Sequence, residues 1–502
     1  MPTFTHTTVL PHARADVFAW FERPGAFVRL TPPFAARVIR EPSHGIEPGS
    51  TAALGMGAPG GLGLWLGAVA GSVAGVLPPR ARNLDILHPQ LRWEALHTAL
   101  TPGRSFTDVM TDGPLTSWTH THTFDDGAEP GTTLMTDIVD YQLPAVAATD
   151  GIHRRFEAEL ARIFAYRERQ LAGDLAFHAA HAGRPRTIAV SGASGLIGSQ
   201  LCALLAGGGH RVLRLVRRPP STPDEVFWDP ARGVLDPAAL AGCDVVVNLA
   251  GHGIGGRFTA KTKDAIYRSR IEGTALLART LASLADDGVP RGLVSGSAVG
   301  YYGATPHGAT GTAAQQHVEP LTEAAPAGND FLAHVCHDWE VSCTPAAEAG
   351  VRVVTVRTGI VLSPGGGVLQ RFLPLYLAGV GGPLGRDQWQ SWIGIDDIAG
   401  IFAHAALSPA GSAAALHGPV NGVAPHPVTA AGFAHTLAGV LHRPAAVKVP
   451  ALGPRLLLGG QGAQELALAD QRISSAKIEA AGYQFRHRSL ELALRHVLGA
   501  QG

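Results

Sequence analysis

The segment Thr187-Ile-Ala-Val-Ser-Gly-Ala-Ser-Gly-Leu-Ile-Gly198 brings an apolar run to three glycines, Gly192, Gly195 and Gly198, and a second apolar run, Ser199 to Ala206, follows at once. This pattern predicts a strand, a tight turn and a helix. The helix N-terminus leaves backbone N–H groups unpaired, and their partial positive charge suits a pyrophosphate. One glycine serves the turn, one lets backbone approach phosphate, and one lets helix pack on strand. A dinucleotide is therefore the first ligand the spacing implies. The alternative is a glycine-rich turn without a ligand.

The next apolar stretch, His210 to Val216, reads as a second parallel strand and ends on Arg217-Arg218-Pro-Pro220. That end is the ribose-reading position. A site preferring NAD would place Asp or Glu there to accept from the ribose 2′-OH, whereas Arg217 and Arg218 offer cations to a 2′-phosphate. NADP(H) is the expected cofactor. The same pair also reads as two solvated arginines at a strand end.

The elements needed to position these residues fit in a chain of 502 residues, long enough for two or three domains. Lys+Arg and Asp+Glu balance at 40 each, so no basic field exists to hold nucleic acid. Charged residues are only 16% and apolar residues 46%, which is a folded composition. Cys202, Cys243, Cys336 and Cys343 show no CxxC spacing and read as reduced thiols. The start, Met-Pro-Thr-Phe-Thr-His, lacks a basic stretch leading into an apolar core, so a cytoplasmic location is expected. From Thr51 to Pro79 the chain is uncharged but diluted by glycine and proline, and it reads as an insert or lid over a cavity; no membrane span is expected.

Three domains are expected. In residues 1–180, strand-like alternation in Trp118 to Phe124 and Thr132 to Leu143 predicts an antiparallel hairpin. Ile152, Phe156, Leu160, Ile163, Phe164, Leu171 and Leu175 then recur at helical spacing. A curved sheet closing on one long helix resembles the START/polyketide-cyclase-like (SRPBCC) superfamily, which implies an α+β helix-grip domain and a small apolar ligand. His120 and His122 share one strand face at metal-pair spacing, but no third ligand accompanies them in sequence, so they read as sheet histidines and no metal is expected. Residues 186–425 alternate strand and helix, as a Rossmann-like doubly wound parallel α/β sheet requires. Residues 426–502 read as a small α-rich appendage.

The GxxGxxG turn, Asp244-Val-Val-Val-Asn-Leu-Ala-Gly251, Ser269-Arg-Ile-Glu-Gly-Thr274, Ser295-Gly-Ser-Ala-Val-Gly-Tyr-Tyr-Gly303, Val356-Arg-Thr-Gly359 and Ser391-Trp-Ile-Gly-Ile-Asp-Asp397 together resemble the atypical short-chain dehydrogenase/reductases called sugar-nucleotide epimerase-like. The closing segment resembles that family's C-terminal domain of unknown function. The resemblance implies that backbone from Ser194 through Leu196 to Ile197 cradles the pyrophosphate. It places Leu249, Ala250 and Gly251 under the adenine-ribose side, and Arg270 and Glu272 near the cofactor. Arg357 stands at the C-terminal end of a strand, where ligands enter such sheets; an ion pair is the alternative reading.

Ordinary members use Ser, Tyr and a Lys four residues further on for proton transfer. Ser297 matches the serine, but Leu332 and Cys336 stand at the Tyr and Lys positions. Tyr301 is then the candidate acid/base, with packing beneath the site as its alternative. Two functions follow: an NADP(H)-dependent oxidoreductase or epimerase-like enzyme, or a catalytically silent NADP(H)-binding sensor or scaffold. Substrate and oligomeric state are not encoded in these motifs.

Overall fold

The computed structural model describes residues 1–57, 91–145, 149–305, 319–385, 387–408, 415–445 and 452–500. The expected lid between Thr51 and Pro79 falls largely outside the described residues; its first part is strand.

The N-terminal unit is an antiparallel sheet of β1 (Thr3–Leu10), β2 (Ala36–Arg40), β3 (Thr51–Met56), β4 (Leu91–Thr101), β5 (Ser105–Asp112), β6 (Ser117–Asp126) and β7 (Thr133–Gln142), in the order β1-β7-β6-β5-β4-β3-β2. The expected hairpin is β6 and β7, with Trp118 opposite Tyr141 and Phe124 opposite Met135. Alternate residues of β7 are buried, so one face of the sheet lies against the helix Asp150–Ala180. Leu160, Phe164, Leu171 and Leu175 of that helix are buried, and Thr149 caps its start. The helix and sheet meet tightly. One void between them, lined by described residues, holds about 10 Å³, room for one water. Phe21, Phe164, Asp137 and Arg167 line this void, which is too small for the expected apolar ligand.

The second unit is parallel. β8 (Thr187–Ser191), β9 (Arg211–Val216), β10 (Glu225–Asp229), β11 (Val234–Leu235), β12 (Val245–Asn248), β13 (Gly292–Ala298), β14 (Arg352–Thr358) and a last strand, Gly418–Gly422, form one sheet. Its order is β11-β10-β9-β8-β12-β13-β14-last, with β11 alone antiparallel to its neighbour. The direction of strand order reverses between β8 and β12, which is where an open α/β sheet forms its ligand crevice. Val245, Val246 and Val247 are almost wholly buried, as expected for a strand covered by helices on both faces.

The C-terminal residues are helical, as expected, and pack into the core of the parallel sheet. Helices Ala430–Val440 and Leu490–Leu498 contribute Phe433, Leu437, Leu494 and Val497 to the same core as Trp392 and Phe402. A buried polar network then joins all three parts. Arg29 pairs with Asp174 and with Asp396 at 2.8 Å each, and Arg486 pairs with Asp174 at 2.7 Å. Gln170 donates to Asp396 and faces His496 at 3.0 Å. These ions are stable out of water only because each is paired and hydrogen-bonded. Among the described residues no helix is long and apolar enough to cross a membrane.

Candidate functional site

The turn after β8 closes as the glycines predict. Gly192 has a φ of +67°, and a Cβ there would stand 2.7 Å from the Leu249 backbone. A Cβ at Gly198 would run into the carbonyl oxygen of Gly192, so helix and turn touch only through glycine. Gly195 differs from both. A Cβ there would meet one atom, Gly192 O at 3.2 Å, and otherwise open space. Gly195 is also the N-cap of the helix Leu196–Gly207, whose first turn has no side-chain cap. The N–H groups of the helix's first turn therefore have no side-chain cap, and Ser194 and Gly195 beside them are exposed, the arrangement that suits an anion.

The ends of β8 and β12 are tied side by side. Ser191 donates to Asn248 Oδ1 at 2.6 Å and accepts from the Leu249 and Ala250 N–H groups, and Asn248 donates to Thr274 at 2.7 Å. This sets Leu249, Ala250 and Gly251 along the crevice. Arg270 lies over them, donating to His252 O at 3.0 Å, with its guanidinium 5.1 Å from the Trp339 ring. Glu272 is not part of this site. Residues two apart on a helix point to opposite sides, and Glu272 instead pairs with Arg268 on the outer face at 2.6 Å.

Arg217 and Arg218 extend from the end of β9, both exposed. Arg218 is engaged locally: it donates to Glu225 Oε2 at 2.8 Å and to Ser221 Oγ at 3.1 Å. Among the described residues Arg217 makes no hydrogen bond or ion pair, so its guanidinium is available to a ligand phosphate.

Ser297, Tyr301 and Arg357 converge, though not as expected. Ser297 is 3% exposed and donates its proton to Glu340 at 2.6 Å. Glu340 also receives Arg357 through two bonds of 2.8 and 2.9 Å, so Arg357 takes its ion-pair reading and is not directed at a ligand. Arg357 further donates to the Tyr302 hydroxyl at 3.0 Å, and Tyr302 donates to Asn421 at 2.6 Å. The Arg357 guanidinium lies 3.4 Å from the Tyr301 ring centre. Ser297 would have to release Glu340 before donating to a substrate.

Leu332 and Cys336 occupy the first turns of the helix Phe331–Val341. Burial pushes the Cys336 thiol up to about 12, so it cannot serve as the missing cation or as a thiolate. Cys202, Cys243 and Cys343 are likewise free, buried and raised. One carboxylate here was not legible in sequence. Buried Glu465 accepts from the Leu332 N–H at 2.9 Å and from Gln461 at 2.7 Å. A Cβ at Gly300 would lie 3.4 Å from the Leu332 Cβ, so Glu465 and the Ser297–Tyr301 loop border the same corner of the sheet.

Comparison with known proteins agrees with this geometry. Residues 188–415 match the profile of the NAD dependent epimerase/dehydratase family, and residues 449–497 match a domain of unknown function, DUF1731. An epimerase family protein of Mycobacterium bovis is 39% identical over 317 residues, 63% of this chain and 98% of that protein. The crystal structure of the nucleoside-diphosphate sugar epimerase from Corynebacterium glutamicum is similar over 99% of this chain and 90% of that one, with a TM-score of 0.71 and 34% identity. The structure of the human epimerase family protein SDR39U1 with NADPH covers 62% of this chain and 99% of that one, with a TM-score of 0.53 and 32% identity. With the parallel sheet, the glycine turn and these relatives in agreement, the chain belongs to the epimerase family of NAD(P)-dependent, short-chain dehydrogenase/reductase-like proteins.

Proposed function

We propose that this chain is an NADP(H)-dependent oxidoreductase or epimerase-like enzyme with units at 1–180, 186–425 and 426–502. The observation that carries the reading is the uncapped helix start at Gly195 after β8, with Arg217, unpaired among the described residues, at the end of the neighbouring strand β9. One is a seat for pyrophosphate and the other a partner for a 2′-phosphate. The human relative is described with NADPH, which supports the same choice. When bound, NADPH supplies a hydride. The residues of this chain then orient the nicotinamide beyond Gly251 and Arg270 and furnish a proton from Tyr301.

We read the N-terminal unit as a helix-grip module of the SRPBCC kind whose work is support. Gly25, at a φ of +103°, lets its chain pass against the backbone of Ala203, and Arg29 donates to Gln200 at 2.8 Å. Both contacts fall on the helix that begins at the nucleotide turn.

The second reading, a catalytically silent NADP(H)-binding sensor or scaffold, is favoured by one observation: the Ser297 proton is committed to Glu340. The two are separated by following NADPH consumption against a panel of aldehydes, ketones and enones. The enzyme reading expects turnover that Tyr301→Phe lowers by about 100- to 10,000-fold while NADPH affinity holds. NADPH binding with no consumption against the panel supports the silent reading.

A further inference from the structure

Two imidazoles and two carboxylates meet on the inner face of the N-terminal sheet, beneath the helix Asp150–Ala180. His120 and His122 stand on β6, and the strand register sets Asp108 of β5 opposite His120 and Asp137 of β7 opposite His122. All four lie on one face of the sheet, and both histidines are buried, His122 to 3% exposure.

Their hydrogen bonds are incomplete in a particular way. His120 Nε2 lies 2.9 Å from Asp137 Oδ1, so that nitrogen carries the proton and the carboxylate accepts it. His120 Nδ1 is left with a lone pair, and 3.6 Å from it is Asp108 Oδ1, which also can only accept. With His120 neutral, two acceptors face each other there, a place that either a second proton or a metal ion fills. His122 Nδ1 comes within 2.7 Å of Asp137 Oδ1 but off the axis a hydrogen bond needs, and it has no hydrogen-bond partner. One donor atom from each of Asp108, His120 and His122 lies within 4.8 Å of the others.

From this geometry we propose that Asp108, His120 and His122 bind a divalent first-row transition-metal ion, with Asp137 holding His120 from behind. Two neutral imidazoles and one carboxylate, with no thiolate, are the donor set such ions take, and three protein ligands leave a position open. A carboxylate on the far nitrogen of a ligating histidine fixes its tautomer and raises its basicity, which is the place Asp137 occupies. The surroundings are dry: Phe106 stacks on His122 at 4.1 Å and Phe164 meets His120 edge-on at 5.4 Å. Arg167 faces Asp108 and Asp137 from the helix and offsets one of their two charges, leaving the other for the ion. Spacing along the sequence hides the third ligand, because Asp108 arrives from the neighbouring strand.

The test uses the full chain, treated with a chelator, dialysed, and titrated with Co²⁺ and then Zn²⁺. About one Co²⁺ per chain is expected, with visible d–d absorption that Zn²⁺ displaces and no thiolate charge-transfer band. His122→Gln and Asp108→Asn should each lose that absorption. Asp137→Asn should keep it but weaken affinity about 10- to 100-fold. If the ligand variants do not fold, the wild-type spectrum decides. A saturating cobalt titration without a visible band, or uptake unchanged in Asp108→Asn, overturns the proposal.

Discussion

The two arginines at the end of β9 are neighbours in sequence but not in role, and removing them singly should separate their effects. Arg218 already holds Glu225 and Ser221, and Arg218 together with the Ser221 N–H keeps the Glu225 carboxyl down at about 2. Turning Arg218 towards a ligand would break these bonds. Arg217 has none to break among the described residues. A 2′-phosphate therefore gains charge-assisted bonds from Arg217 of about 1.5–3 kcal/mol, which at ~1.4 kcal/mol per tenfold is about 10- to 150-fold in affinity. Arg217→Ala should weaken NADPH by that factor and leave NADH unchanged, since NADH has no 2′-phosphate. Arg218→Ala should cost less than about fivefold, the scale of an exposed ion pair. Isothermal titration of both variants with both nucleotides at one fixed salt concentration measures this. Equal losses for the two nucleotides in Arg217→Ala, or a larger loss in Arg218→Ala, would refute the reasoning.

Gly195→Val should remove NADPH binding while the melting temperature stays near wild type, because the φ of −76° suits valine and the side chain enters only the open volume; Gly198→Ala should also cost about 1–3 kcal/mol of stability, since its Cβ meets the Gly192 carbonyl. Titration and thermal melts of the two proteins distinguish these outcomes. Asp174→Ala leaves buried Arg486 without its paired carboxylate and Arg29 with Asp396 alone, and should destabilise by about 3–5 kcal/mol, seen as a lower melting temperature of the whole chain. Acid should also weaken the fold. Burial lowers His178 and His404 from 6.5 to about 4, so the unfolded chain takes up these protons first and stability is lost as pH falls from 6.5 towards 4. A melting temperature flat across that window would count against neutral, buried imidazoles.

The parallel sheet was readable because each strand is a short apolar run punctuated by glycine or a turn. β8 begins at Thr187 and β9 ends at Val216, as the two apolar runs predict. β10, the two-residue β11 and the last strand were missed: Glu225–Asp229 carries two acids in five residues, and Gly418–Gly422 holds two glycines and a proline, so neither shows strand periodicity. The nucleotide turn was legible because its glycines are needed by contacts a few residues away. The site beyond it was not. Glu340, Asn421 and Glu465 reach Arg357, Tyr302 and Leu332 from distant segments, and only tertiary packing makes them neighbours. The C-terminal residues looked like an appendage because each helix is short, yet His496 and Arg486 complete a network whose other members lie hundreds of residues away.

A crystal structure of the full chain grown with NADPH tests the central claim most directly. The account predicts the pyrophosphate on the Leu196 and Ile197 N–H groups beside Gly195, and the 2′-phosphate within about 3 Å of the Arg217 guanidinium. A nucleotide bound elsewhere, or a ribose end contacting neither Arg217 nor the end of β9, would contradict it.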